Sequence, residues 1–271
     1  MKLKKRLVFL TYPCFYSSLV LNSILSSSDV EVVAIVSSTR NLRINENSLV
    51  SAFKRIIHSG LHYSCYLWFI TSAYTTVSQW SRFDSIHKLA SKNKIPHYKT
   101  CNINGDEMKA SIREINPDII LCAHFNQRVA PEIYSLAKNS ALNIHPSLLP
   151  DLKGVDPAFY AMLERYEKTG VSLHHLDEEF DTGSVTSNQM CDIQSTDSLF
   201  SLNCKLFQAG GDLLISYLQK NNGYIEASTR SRYDSWPCAS KVNELRQTNK
   251  LISLQNIKWM FSPETRRCKN Q

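Results

Sequence analysis

Short apolar runs of strand length alternate with runs of helical period along most of this chain, and that alternation constrains its fold more than any other feature. Strand-like segments at 6–10, 31–36, 97–99, 118–123, 141–145 and 170–176 are interleaved with helix-like ones near 16–26, 84–93, 105–115, 131–138 and 157–167. Strands separated by helices are joined by crossovers, and a crossover returns the chain parallel to itself. The pattern therefore predicts an α/β fold with a mainly parallel twisted sheet and helices on both faces. Ile119-Ile120-Leu121-Cys122-Ala123 is a continuous apolar run, as expected of a central strand covered on both sides. Residues 197–220 read as a long helix capped by Thr196 or Asp197. The pattern is interrupted by an insert at about 40–82, and it gives way after residue 228 to a short C-terminal extension, the basic tail 229–271.

Composition removes several classes. With 271 residues, 43% hydrophobic and 20% charged, the chain has the means to build a sizeable core and is neither disordered nor fibrous. The net charge is +7, and residues 221–271 hold nine Lys/Arg against four Asp/Glu, so +5 of it falls there. Such a tail fits a solvated basic face, or attraction to a phosphorylated or polyanionic substrate. The eight cysteines are scattered, with no Cys-x-x-Cys pair and no Cys/His spacing typical of zinc, so no metal site is expected. Reduced core cysteines such as Cys122 favour a cytoplasmic location. The start, Lys2 to Leu10, imitates a signal peptide, but Thr11-Tyr12-Pro13 breaks its apolar stretch and Val30–Val36 follows at βαβ distance, which suits a first strand and helix. Residues 61–80 lack Asp, Glu, Lys and Arg, yet seven Ser, Thr and Gln residues make the segment too polar to span a bilayer. No integral membrane span is expected. An aromatic-rich helix covering the domain is the first reading of this segment, and monotopic membrane contact the second. Nothing in the sequence indicates an oligomeric state.

The chemistry gathers around Asn143-Ile144-His145-Pro146. Ala141 to His145 reads as a strand whose alternation sends Asn143 and His145 to one face, ended by Pro146. Polar pairs at the carboxyl end of a strand lie where open α/β sheets bind ligands. A carboxylate, Asp181 within Asp181-Thr182-Gly183, follows a second strand that carries His174 and His175.

These residues resemble the folate-dependent formyltransferases, whose members act on glycinamide ribonucleotide, methionyl-tRNA or amino sugars. The resemblance rests on Asn143-x-His145-Pro-Ser147-Leu-Leu-Pro150, on Gly154 and Pro157, and on Gly170-x-Ser-x-His174 with Asp181-Thr-Gly183 seven residues beyond. It covers about residues 5–220 and implies a Rossmann-like catalytic domain over 1–228, with 10-formyltetrahydrofolate as co-substrate and no metal. It implies that Asn143 donates to the formyl oxygen as charge develops on it, and that His145 is a second donor and proton carrier. Asp181 would support the imidazolium and take the amine's proton through a water. By the same resemblance His174 supports the carboxylate loop, Ser147, Pro150 and Gly154 shape the reactive loop, and the Leu149–Pro150 peptide is cis. Folate is expected against the main chain of the 125–131 segment, at Phe125, Gln127 and Val129, with Leu176, Asp177 and Asp181 closing the other side.

Two departures bear on the acceptor. The turn after the first strand, Thr11-Tyr12-Pro13-Cys14, has no glycine, so the phosphate cradle of glycinamide ribonucleotide enzymes is missing. The tail is shorter than the domain that methionyl-tRNA enzymes use to hold tRNA. A small-molecule amine such as a nucleotide-linked amino sugar is therefore expected as acceptor. The alternatives are methionyl-tRNA, water (a formyl-folate hydrolase) and, last, a non-catalytic folate binder.

Overall fold

The computed structural model describes residues 3–40, 48–220 and 232–262. β1 (Lys5–Thr11), α1 (Phe15–Leu25) and β2 (Val30–Ser38) open the fold. The insert follows as α2 (Ser48–Trp68), a π-helical turn (Phe69–Ala73) and α3 (Tyr74–Val77). Next come α4 (Ile86–Lys92), β3 (His97–Thr100), α5 (Asp106–Ile115), β4 (Ile119–Ala123), α6 (Pro131–Tyr134) and β5 (Ser140–His145). The chain continues through β6 (Lys153–Gly154), α7 (Pro157–Leu163), β7 (Lys168–His175), β8 (Val185–Asp192) and α8 (Leu199–Lys220). It closes with β9 (Tyr233–Asp234), α9 (Ala239–Thr248) and α10 (Leu254–Met260).

The seven-stranded sheet has the order β3-β2-β1-β4-β5-β7-β8. Its first four pairings are parallel, whereas β5–β7 and β7–β8 are antiparallel. The mainly parallel α/β fold expected from the alternation is thus present, with an antiparallel edge that the alternation does not reveal. β8 is an edge strand whose outer half is polar and exposed, so its sequence carries little apolar signal. One core lies between the sheet and α1, α7 and α8, with Phe15, Phe159, Phe200 and Leu206 fully buried. The opposite face packs against α5 and α6 through Met108, Ile112 and Ile133.

Inserted and C-terminal segments add to the first core. Tyr63, Tyr66, Ile70 and Tyr74 recur at helical spacing and are buried, forming the inner face of the insert. Gly60 interrupts α2 with φ of 79°, which lets its two halves turn independently. Val242, Leu245, Leu251 and Met260 join the same core. β9 pairs with β6, and the main chain of Leu199 and Phe200 donates to Lys250 and Leu251. α8 starts one residue later than a cap at Asp197 would give. Ser198 takes the cap role, its Oγ accepting from the Ser201 N–H at 3.1 Å, while Asp197 binds Ser201 Oγ and Lys205. Among the described residues no helix is long and apolar enough to cross a membrane. Residues 229–231 and 263–271 of the basic tail lie outside the described residues.

Candidate active site

β5 ends in Asn143 and His145, and β7 supplies their neighbour. Because the two strands run antiparallel, Asn143 sits directly opposite His174 and His145 opposite Ser172. Directly opposite residues project from the same face at close range, and the Asn143 Nδ2 donates to His174 Nε2 at 3.0 Å. The other imidazole nitrogen of His174, Nδ1, lies 2.8 Å from the His175 carbonyl, a pure acceptor, so the proton is on Nδ1 and Nε2 is free to receive the amide. Burial lowers the His174 pKa from 6.5 to about 4, with His145 adding to the shift and the Asp181 carboxylate opposing it. A neutral ring in one fixed tautomer therefore orients Asn143. One N–H of the Asn143 amide remains for a substrate.

His145 is buried between two acceptors. Its Nε2 donates to the Leu152 carbonyl at 3.1 Å, and its Nδ1 lies 3.3 Å from Asp181 Oδ1. Asp181 has φ of 58°, in the left-handed region, and its Oδ2 accepts from the Gly154 N–H at 2.9 Å. His174 Nε2 is 3.8 Å from the same carboxylate. The four side chains Asn143, His145, His174 and Asp181 therefore converge.

The glycines explain how close the loops come. Gly154 has φ of +101°, and a Cβ there would stand 2.1 Å from the Asp234 carbonyl oxygen. A Cβ on Gly183 would stand 1.8 Å from the His175 carbonyl. Ser147 is buried, donating to the Asp151 carbonyl at 2.8 Å, and the Leu149–Pro150 peptide is cis. Ser147 and Pro150 hold the loop and do not face the cavity, whereas Gly154 does.

That cavity has a volume of about 410 Å³. Asn143, His145, His174 and Asp181 line it, as do Phe125, Gln127, Val129, Leu176 and Asp177. The 125–131 segment is pinned from behind. Gln127 Oε1 accepts from the Ile103 N–H at 2.8 Å and its Nε2 donates to Ser38 Oγ at 2.7 Å, while Asn104 binds both the Arg128 carbonyl and the Ala130 N–H. With its amide committed in this way, Gln127 offers a ligand its main chain. Apolar walls at Phe125, Val129 and Leu176 beside such a backbone fit a flat heterocycle. Among the described residues, no group of three or more His, Cys, Asp or Glu side chains is arranged to hold a metal ion.

Asp156, Tyr63 and Asn203, which carry no distinguishing signal in the sequence, also line the cavity, with Tyr63 and Asn203 buried. Asp156 before Pro157 looks like an ordinary helix cap. In the structure its side chain makes no cap bond and its φ is 49°, so only the strained backbone sets it apart.

A formyl transferase family model matches residues 5–218, and the chain belongs to that family. A methionyl-tRNA formyltransferase of Ehrlichia ruminantium (strain Welgevonden) is 28% identical over 166 residues, covering 61% of this chain and 51% of that protein. The chain thus spans about half the length of such curated relatives. Among solved structures, an N-formyltransferase from Helicobacter canadensis in complex with folinic acid and dTDP-3-aminofucose superposes with a TM-score of 0.56 at 17% identity, covering 86% of this chain and 71% of that one. A phosphoribosylglycinamide formyltransferase from Bacillus halodurans gives 0.55 at 17% identity, covering 80% and 95%. At such identities these two likenesses establish a common fold.

Proposed function

We propose that this chain transfers a formyl group from 10-formyltetrahydrofolate to the primary amine of a small molecule, with a nucleotide-linked amino sugar the preferred acceptor. The observation that carries the reading is the convergence of Asn143, His145 and Asp181 on one cavity beside an apolar, backbone-lined wall. The folate supplies the activated formyl carbon. Asn143, held by His174, directs an N–H at the formyl oxygen and stabilises its developing charge. As the amine nitrogen bonds to the formyl carbon and the bond from that carbon to the folate nitrogen breaks, His145 hands a proton from Nδ1 to the leaving nitrogen, with Asp181 placed to balance the imidazolium charge and to receive the proton lost by the amine. The Gly154 N–H keeps the carboxylate aimed while this happens.

The test has two parts. Folinic acid should bind the purified protein with or without a chelator, and labelled formyl-folate should then be consumed only when an amine acceptor is present. Consumption at the same rate without any amine would favour a hydrolase instead. A second reading is favoured by the curated relatives, which are named as methionyl-tRNA formyltransferases. In that case formylation of methionyl-tRNA should be efficient and tolerant of salt. Non-specific attraction of tRNA to the +7 chain would weaken steeply as salt rises and leave no formylated product.

A further inference from the structure

Beyond the reacting groups, the cavity reaches a carboxylate that the chemistry above does not use. Asp156 is set deep among protein atoms, yet part of its surface stays accessible because it faces the cavity. Enclosure raises its carboxyl pKa above the ordinary value, and donors offset part of that rise. Tyr63 Oη donates to Oδ2 at 2.7 Å and Asn203 Nδ2 to Oδ1 at 3.4 Å. Among the described residues no Lys or Arg forms an ion pair with it, and its side-chain donors are the neutral Tyr63 hydroxyl and Asn203 amide. A carboxylate enclosed with neutral donors alone is costly to keep. Its oxygens retain acceptor capacity on the cavity side. Asp156 lies two residues from Gly154, whose N–H touches the Asp181 carboxylate, so the Cα atoms of Gly154 and Asp156 are at most about 7 Å apart. Asp156 lines the same cavity as Asn143, His145 and Asp181, so one bound acceptor can meet both.

Resting on the formyl-transfer reading, we propose that Asp156 is the acceptor-binding residue. It accepts a hydrogen bond from a hydroxyl of the sugar ring that carries the reacting amine. Tyr63 and Asn203 are positioning residues that hold the carboxylate's orientation, and Tyr63 makes the insert a determinant of acceptor choice. A carboxylate at this depth repels a phosphate, so a phosphorylated acceptor must keep its anionic part outward. There Arg55, half-buried, lies 4.8 Å over the Trp236 ring, and both line the cavity. Cation and aromatic face together suit a phosphate followed by a base.

The experiment measures KM and kcat with formyl-folate saturating and dTDP-3-aminofucose, glucosamine 6-phosphate or glycinamide ribonucleotide as acceptor, and in parallel the Kd of folinic acid. Wild-type protein should formylate a sugar-borne amine. Asp156→Ala should raise that acceptor's KM by about tenfold or more, the scale of a hydrogen bond to a charged group, with folinic acid Kd unchanged. Tyr63→Phe should raise the same KM by a smaller factor and leave kcat in place. If Asp156→Ala no longer binds folinic acid and has misfolded, Tyr63→Phe decides. An acceptor KM unmoved in the variant that decides overturns the proposal. So does a wild-type protein that binds folinic acid and formylates neither sugar-borne amine, which leaves the folate reading standing. Failure of the wild-type protein to bind folinic acid would overturn the formyl-transfer reading, and this proposal with it.

Discussion

Asn143 does not stand alone at the end of its strand: the neutral His174 ring opposite it fixes its amide, and His145 and Asp181 share one side of the same space. The proposed roles predict that His145→Ala, Asp181→Asn and Asn143→Ala each lower turnover by at least about two orders of magnitude while circular dichroism is unchanged. Rates near wild type in all three folded variants would remove these residues from the reaction. His174 makes a separate prediction about pH. Its folded pKa of about 4 is below the 6.5 of an unfolded chain. Between those values acidification protonates the unfolded chain but not the folded one, so stability falls as pH drops from 6.5 towards 4 and levels off beneath it. The full loss is on the order of 3 kcal/mol, from a shift of roughly two and a half units. His97, half-buried and also lowered to about 4, loses stability in the same direction. Urea midpoints between pH 7 and pH 4 should therefore be less pH-dependent in His174→Gln than in wild type. Equal slopes in the two proteins would mean that His174 is not the buried neutral ring described.

Between elements, the site depends on loops meeting closer than side chains allow. Gly154 in β6 lies against the Asp234 carbonyl in β9 while its N–H holds Asp181, so one residue joins the C-terminal segment to the loop that carries Asp181. Gly154→Ala should cost about 2–4 kcal/mol, from the positive φ and the clash together, and should lower turnover by displacing the Asp181 carboxylate. Unchanged unfolding and unchanged turnover would show that β9 is not seated there in solution. Much of this arrangement is legible in the sequence. The alternation of elements gives the parallel sheet, and the Asn143, His145 and Asp181 spacing gives residues that the fold brings together. What stays hidden has physical causes. β8 is a half-polar edge strand, and α9 buries only Val242 and Leu245, so neither carries a strong periodic signal. The antiparallel turn into β7, which puts His174 opposite Asn143, arises from a tertiary pairing that no local pattern specifies. Asp156 imitates a cap, and Tyr63 lies in the insert with its hydrogen-bond partner 93 residues away.

For the molecule as a whole, the segment 232–262 behaves as part of the core that the other elements build. Val242, Leu245, Leu251 and Met260 are buried in it. Main-chain bonds tie this segment to the start of α8, and the Arg82 N–H donates to the Met260 carbonyl at the end of the insert. Tyr160 Oη donates to the Ser235 carbonyl at 2.7 Å, and the Arg232 guanidinium pairs with Glu164 and Asp234. The exposed Arg232 pairs add little to stability in water, so the buried apolar residues and the main-chain bonds carry the attachment. A chain ending at residue 231 would leave Tyr160, Arg82 and the first turn of α8 without these neighbours and would free the loop that holds Asp181. It should therefore lose cooperative unfolding, bind a hydrophobic dye, and lose folinic acid binding together with turnover. Supplying residues 232–262 as a separate peptide should restore little, because association must then meet an entropic cost that the continuous chain avoids. Calorimetry of the full and shortened chains distinguishes the alternatives: a shortened chain that unfolds in one sharp transition at the full-length midpoint would show that this segment is an appendage and not part of the core.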